Sequence, residues 1–225
     1  VSPNLGTARR AFGSSSQTAT ASVVFGGNPT MAHTEEWNGS SWSEQSNLAT
    51  ARQYLAGFGS QTSAVAAGGY TPSTNTGRTL VEEYDGTSWT SGGALPAATF
   101  GAKGQGASET AGFVVYPAPS PSKSYDGSSW TQQTSPSVTW SGMKDHEAQV
   151  FDGKIWILGG NDNGSRIKKY FSFNGTSWSQ ASIPDWSQRS SMVSYEFDNY
   201  LWVVGGDNGT SGSTHMNDVW KYGKP

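Results

Sequence analysis

The 225 residues carry 14 Lys+Arg against 17 Asp+Glu, a net charge of −3, which gives no electrostatic footprint for nucleic acid or for an anionic membrane surface. The absence of cysteine excludes a disulfide framework, a thiolate metal site and a cysteine nucleophile. Only 14% of residues are charged, so Ser, Thr, Asn and Gly must supply the polar surface, and no run reaches the ~20 apolar residues of a membrane-spanning helix.

In chain order the first strong signal is Ser22-Val23-Val24-Phe25-Gly26-Gly27, a short apolar run ended by a glycine pair, which predicts a buried strand. It is followed by Glu36-Trp37-Asn38-Gly39-Ser40-Ser41-Trp42, in which an aromatic residue closes one strand, Asn-Gly turns, and Trp opens the next. The same two phrases return as Ala64-Val65-Ala66-Ala67-Gly68-Gly69 and Glu83-Tyr84-Asp85-Gly86-Thr87-Ser88-Trp89. The third unit has Gly112-Phe113-Val114-Val115-Tyr116-Pro117 where the glycine pair belongs, then Ser124-Tyr125-Asp126-Gly127-Ser128-Ser129-Trp130. Pro117, Pro119 and Pro121 predict an extended loop or irregular edge between those phrases. The fourth unit reads Ile155-Trp156-Ile157-Leu158-Gly159-Gly160 and Ser172-Phe173-Asn174-Gly175-Thr176-Ser177-Trp178. The fifth reads Leu201-Trp202-Val203-Val204-Gly205-Gly206 and ends on Asp218-Val219-Trp220-Lys221-Tyr222-Gly223, an aromatic strand without its turn and Trp.

Trp42, Trp89, Trp130 and Trp178 stand 47, 41 and 48 residues apart, the spacing of stacked supersecondary units. Asn-Gly and Asp-Gly point to type I′ turns, whose two central residues both need positive φ. In the fourth unit strands are expected at His146–Phe151, Lys154–Leu158, Lys169–Phe173 and from Trp178, turning at Asp152-Gly153 and Asn174-Gly175. In the fifth they are expected at Met192–Phe197 and Tyr200–Val204 about Asp198-Asn199. No segment sustains a 3.6-residue apolar period, so helix is expected to be nearly absent.

An apolar strand ending in Gly-Gly, then an aromatic strand, then a Trp strand resembles the kelch repeat, and the resemblance covers nearly the whole chain. It implies an all-β, five-bladed kelch-type β-propeller with four antiparallel strands per blade, a single domain over residues 1–225. The blades are expected at residues 5–47, 48–94, 95–135, 136–182 and 183–225, with residues 1–4 added to the last. The first three units, rich in Ala, Gly, Ser and Thr, are also similar to kelch-like repeats of phage and bacterial surface proteins; the last two resemble ordinary kelch blades. Leu5 aligns with Leu48 and Leu95, so Val1 to Asn4 are too few for a full outer strand. The fifth blade is therefore expected to be incomplete, or covered by another chain or a further segment, and self-association through it is an expectation. A start at Val1 without a signal-peptide pattern is expected of a processed, trimmed or longer parent chain.

In such a propeller the loop after each Gly-Gly and the loop entering each first strand emerge on one face. That face is expected to hold Trp140 and Trp186, two tryptophans outside the repeat, whose indoles suit the flat side of a sugar or an aromatic residue of a partner. Their alternative role is packing between blades. Arg9, Arg52 and Arg189 align across blades one, two and five and could converge on a carboxylate or sulfate of an acidic glycan, or simply bond neighbouring carbonyls. The repeat tryptophans are expected to be structural. His33, His146 and His215 do not read as a metal site, because Asp145, His146 and Glu147 are consecutive strand residues that alternate sides.

No catalytic constellation is legible. The adjacent Asp-Gly departs from the sialidase Asp-box, and the copper site of galactose-oxidase-like proteins needs a cysteine that is absent. Glu109, Asp145, Glu147 and Asp185 are the candidate carboxylates for a glycosidase or lyase. The asparagines of the Asn-Gly-Ser/Thr phrases are read as turn residues rather than glycosylation acceptors. The reading is a non-enzymatic binding module without cofactor or metal, a phage or bacterial surface component, extracellular or on a virion, that recognises a host glycan or protein through the loop face. A structural or assembly protein is the second reading, a carbohydrate-active enzyme the third.

Overall fold

The computed structural model describes residues 3–74, 76–116, 122–134, 145–162, 165–180, 187–209 and 215–223. The first apolar run and its flanks form β1 (Gly13–Thr18), β2 (Ala21–Phe25), β3 (Thr34–Trp37) and β4 (Trp42–Gln45), which pair antiparallel in that order as blade 1. Blade 2 is built from β5 (Ala56–Ser60), β6 (Ser63–Ala67), β9 (Val81–Tyr84) and β10 (Trp89–Ser91), and a ribbon of β7 (Tyr70–Thr71) and β8 (Thr76–Gly77) rises from its second connection. Blade 3 comprises β11 (Lys103–Ser108), β12 (Ala111–Val115), β13 (Lys123–Tyr125) and β14 (Trp130–Gln132). Blade 4 comprises β15 (Glu147–Phe151), β16 (Lys154–Leu158), β19 (Tyr170–Phe173) and β20 (Trp178–Gln180), again with a ribbon, β17 (Asn161–Asp162) and β18 (Ser165–Arg166). Blade 5 has three strands among the described residues: β21 (Val193–Phe197), β22 (Tyr200–Val204) and β23 (Val219–Gly223). The fold is thus an all-β, five-bladed β-propeller, with no helix among the described residues.

The chain divides into two units, residues 1–114 with 123–132, and residues 115–122 with 133–225. The division falls where the composition changes, between the Ala/Gly/Ser-rich blades 1 to 3 and the Trp/Ile/Val-rich blades 4 and 5.

Within the first unit, blades stack face to face because one side of each sheet is large and the facing side of the next is small. Val23 and Phe25 of blade 1 pack on Leu55, Ala64, Ala66 and Tyr84 of blade 2. Phe58 of blade 2 lies against Gly112 of blade 3, where a Cβ would fall 1.9 Å from a ring carbon. Within the second unit Phe151, Trp156 and Leu158 of blade 4 pack on Met192, Leu201 and Val203 of blade 5, with Tyr222 5.4 Å from the Trp156 ring. Burying such side chains contributes about 1.5–3 kcal/mol each, so these layers are the core.

The glycine pairs do more than end strands. Both residues of each pair have positive φ (65° and 124° at Gly26-Gly27, 67° and 101° at Gly68-Gly69), a conformation that L side chains resist. The bend brings the second amide onto the next blade: Gly27 N–H donates to Arg52 O at 2.9 Å, Gly69 N–H to Thr99 O at 2.9 Å, and Gly160 N–H to Arg189 O at 2.8 Å.

The turns split into two kinds. Asp152-Gly153 (φ 53° and 66°) and Asp198-Asn199 (φ 52° and 61°) have both central residues at positive φ, as type I′ requires. The four motif turns differ from the expectation: Gly39, Gly86, Gly127 and Gly175 have φ of 89–96°, while the Asn or Asp before each does not have positive φ. Four residues rather than two separate the paired aromatics, as in Trp37↔Trp42 and Phe173↔Trp178. The Asn or Asp side chain closes this wider loop. Asn38 Oδ1 accepts from Ser40 N and Ser41 N at 2.9 Å each, and Asp126 Oδ1 from Ser128 N at 3.0 Å and Ser129 N at 2.8 Å. Asn and Asp are specified here by their acceptor oxygen, not by tolerance of left-handed φ.

Candidate functional site

The two loop sets meet at one end of each blade, joined by backbone bridges. Arg10 pairs with Asn28, Gln53 with Tyr70, Arg78 with Thr99, and Ser190 with Asp207. Close by, the chain takes a left-handed turn into the first strand of each blade, at Ala11, Tyr54, Gly101, Asp145 and Ser191, each with φ of 53–72°. Inside the first unit this ties blade to blade: Tyr54 N–H donates to Ala11 O at 2.7 Å and Gly101 N–H to Tyr54 O at 2.8 Å. In the second, Ser191 N–H donates to Asp145 O at 2.9 Å. Such fixed backbone can hold exposed side chains in place without further packing.

On the first unit those side chains are aromatic. Tyr54 is 44% exposed and Phe100 49%, and the Phe100 ring lies 5.6 Å from that of Tyr70. A polar row runs beside them: Arg10 Nε donates to Asn28 Oδ1 at 3.3 Å, and Asn28 Nδ2 donates to Gln53 Oε1. Arg78 Nε donates to Thr71 Oγ1 at 3.0 Å, fixing the ribbon that carries Tyr70. The repeat phrases gave no hint of this cluster. Its signal was an aromatic residue shortly before a first strand (Tyr54, Phe100) or after a glycine pair (Tyr70), at positions that vary from blade to blade.

On the second unit the same end is ionic. Arg166 Nη2 lies 3.1 Å from Asp207 Oδ2, and Gly209 N–H donates to Asp207 Oδ1 at 2.6 Å. The Gly209 amide, then Arg166, hold the Asp207 carboxyl below its ordinary range. Trp140, Trp186 and Asp185, and the proline segment with Pro117, Pro119 and Pro121, lie outside the described residues.

Arg9, Arg52 and Arg189 do not form a ring of open guanidinium groups. Each side chain is fully buried and ion-paired within its own blade, with Glu35, Glu82 and Asp218 respectively. Arg9 donates to Gly26 O and His33 O, Arg52 to Ala66 O, and Arg189 to Gly205 O, so each guanidinium joins two strands of its sheet. The partner carboxylates are themselves engaged: Gly6 N–H donates to Glu35 Oε2 and Ala49 N–H to Glu82 Oε2, both at 2.6 Å. Burial draws the Arg52 guanidinium down from its ordinary value, with Glu82 opposing. The alternative read from the sequence, bonding to neighbouring carbonyls, describes these contacts; a site built from three converging arginines does not.

The repeat tryptophans are half-buried and bond backward. Trp89 Nε1 donates to Thr34 Oγ1 at 2.9 Å, Trp130 Nε1 to Gly93 O at 2.6 Å, and Trp178 Nε1 to Thr134 O at 2.6 Å, while the Trp42 ring packs 5.4 Å from Trp37. Glu109 follows the end of β11, the opposite end of the blade from the loop face, where Ser63 Oγ accepts from its amide at 3.0 Å. It is therefore not among the carboxylates at the mouth. Asp145 is exposed at the head of β15, and His146 beside it is buried. His33 lies 3.8 Å from Glu44, and among the described residues no group of three or more His, Asp or Glu is placed to hold a metal ion.

No protein-family model matches the chain, and no curated protein is similar to it.

Proposed function

We propose that the chain is a kelch-type, non-enzymatic binding module of a phage or bacterial surface, and that its loop face takes a glycan. The single observation that supports this most is the outward aromatic group at this end of the blades, Tyr54 on left-handed backbone and the paired rings of Tyr70 and Phe100, with the Arg10–Asn28 pair bonded to Gln53 beside Tyr54. Flat apolar rings suit the C–H face of a sugar, and guanidinium and amide groups suit its hydroxyls. The low charge and Ser/Thr/Asn/Gly surface fit a protein displayed outside the cell. A glycan array compares the intact chain with a Tyr54→Ala/Phe100→Ala variant of equal thermal stability. Specific binding that falls at least tenfold in the variant is the expected result. Binding to no glycan, or binding unaffected by the substitutions, overturns the reading.

A second reading, an assembly component, is favoured by blade 5. Its β23 has no fourth strand beside it among the described residues, and unpaired edges invite pairing.

A further inference from the structure

The charge at the loop end of the first unit is one-sided. Residues 5–12, 26–33, 47–55, 68–80 and 94–102, which make that end of blades 1 to 3, include Arg9, Arg10, Arg52 and Arg78 but no Asp or Glu. Four of the six arginines of the chain have carboxylate partners: Arg9 with Glu35, Arg52 with Glu82, Arg166 with Asp207 and Arg189 with Asp218. Arg10 and Arg78 have none among the described residues. Glu44, exposed on the outer strand of blade 1, stands 3.8 Å from His33 instead. Burial first, and the charge of Arg78 with it, draws the Arg52 guanidinium down against Glu82, so Arg78 acts on its surroundings as an uncancelled charge.

Both side chains are nonetheless held in place by neutral acceptors. Arg10 Nε donates to Asn28 Oδ1 at 3.3 Å, and Asn28 Nδ2 donates to Oε1 of Gln53, a residue only 4% exposed. Arg78 Nε and Nη2 both donate to Thr71 Oγ1, which occupies the side edge of that guanidinium. A charge that serves only solubility needs no such tether. Fixing a long side chain before a ligand arrives removes its ordering cost from binding. In Arg10 the tether takes Nε and leaves the Nη1–Nη2 end, two donors spaced for two oxygens of a carboxylate or sulfate. Arg10 is exposed, and two links put it beside Tyr54. Asn28 bonds both Arg10 and Gln53, and the Tyr54 amide donates to Ala11 O at 2.7 Å. An anion donor and a flat exposed ring therefore adjoin.

We propose that the loop face selects a sugar bearing a carboxylate or sulfate, with Arg10 holding the anionic group end-on and the Tyr54 ring against the sugar. This rests on the glycan reading above and names the class of glycan. Matched pairs on an array test it: glucuronate-terminated against glucose-terminated chains, sialylated chains against their carboxyl-reduced forms, and sulfated against unsulfated chains. Polyphosphate serves as an anion without sugar. An acidic member is expected to bind about tenfold or more tighter than its neutral partner, and the pair that shows the gap tells carboxylate from sulfate. The gap is expected to narrow as salt rises from about 0.05 to 0.5 M. Arg10→Gln, its fold checked by thermal melting, is expected to bring the ratio within each pair close to one. Lys154→Gln, which removes a positive charge beside the Asp152-Gly153 turn of blade 4, is expected to leave the ratio as it is. Equal affinity within every pair, or a preference that survives Arg10→Gln or falls as far in Lys154→Gln, overturns the inference and leaves the glycan reading standing. Polyphosphate bound as tightly as the acidic sugars overturns it as well. Binding to no sugar overturns both.

Discussion

Removing the Arg52 guanidinium is the perturbation the structure prices most clearly. Arg52 has no exposed side-chain surface, its Nη1 meets Glu82 Oε1, and Glu82 is itself 6% exposed. Arg52→Ala leaves that carboxylate in the sheet with the Ala49 amide as its remaining hydrogen-bonded donor, and strips the Ala66 carbonyl of a partner. Breaking a buried pair from one side costs about 3–5 kcal/mol, because the surviving charge stays desolvated. For a chain of this length that lowers the Tm by roughly 6–20 °C. The companion Arg52→Met/Glu82→Leu removes both charges, so the desolvated-ion penalty disappears. It still loses the partners of Ala49 N and Ala66 O, at about 1–3 kcal/mol each, so it should fall between wild type and the single variant. Urea unfolding followed by tryptophan fluorescence, with calorimetry to separate transitions, reads both. A loss under about 1 kcal/mol in Arg52→Ala, the range of an exposed pair, would refute the internal role and reopen a ligand role for the arginines.

Gly112→Ala should destabilise the first unit by about 1–3 kcal/mol, since its Cβ would lie 1.9 Å from Phe58; a neutral result in urea unfolding would mean blades 2 and 3 do not stack there. Asp126→Asn should melt close to wild type, because Asn38 and Asn174 close the same turn, whereas Asp126→Ala should melt lower. Asp85 and Asp126 are held below the usual carboxylate range by the amides they accept. Their folded pKa is depressed, so their contribution is present above about pH 4 and is lost as pH falls through the folded value; melts across that window check the sign. Glu36 is shifted the other way, burial raising it while Tyr84 opposes. Its contribution is present below about pH 4 and is lost as pH rises through the raised value, so Glu36→Gln should gain stability relative to wild type near neutrality and not at acid pH.

The blades were legible because each is a local phrase. Lys154–Leu158 and Tyr200–Val204 fall where the apolar runs ended, and the first strands start one residue later than expected, at Glu147 and Val193. The motif turn was misread because Asp-Gly serves two geometries. Counting the residues between the last paired positions of the two strands, four in Phe173–Trp178 against two in Phe151–Lys154, separates them. The arginine pairs were not legible, since Glu35 and Glu82 lie 26 and 30 residues from their partners and only the fold brings them together. The aromatic cluster was missed for the opposite reason. Tyr54 and Phe100 are outside the repeat, and nothing in a period marks what the period does not contain.

Amide hydrogen exchange, with and without a saturating glycan taken from the array, tests the loop-face reading most directly. The account predicts added protection at residues 52–56, 70–78 and 98–102, where Tyr54, Tyr70 and Phe100 are held. Protection confined to the motif turns at 38–41 and 85–88, at the other end of the blades, would contradict it.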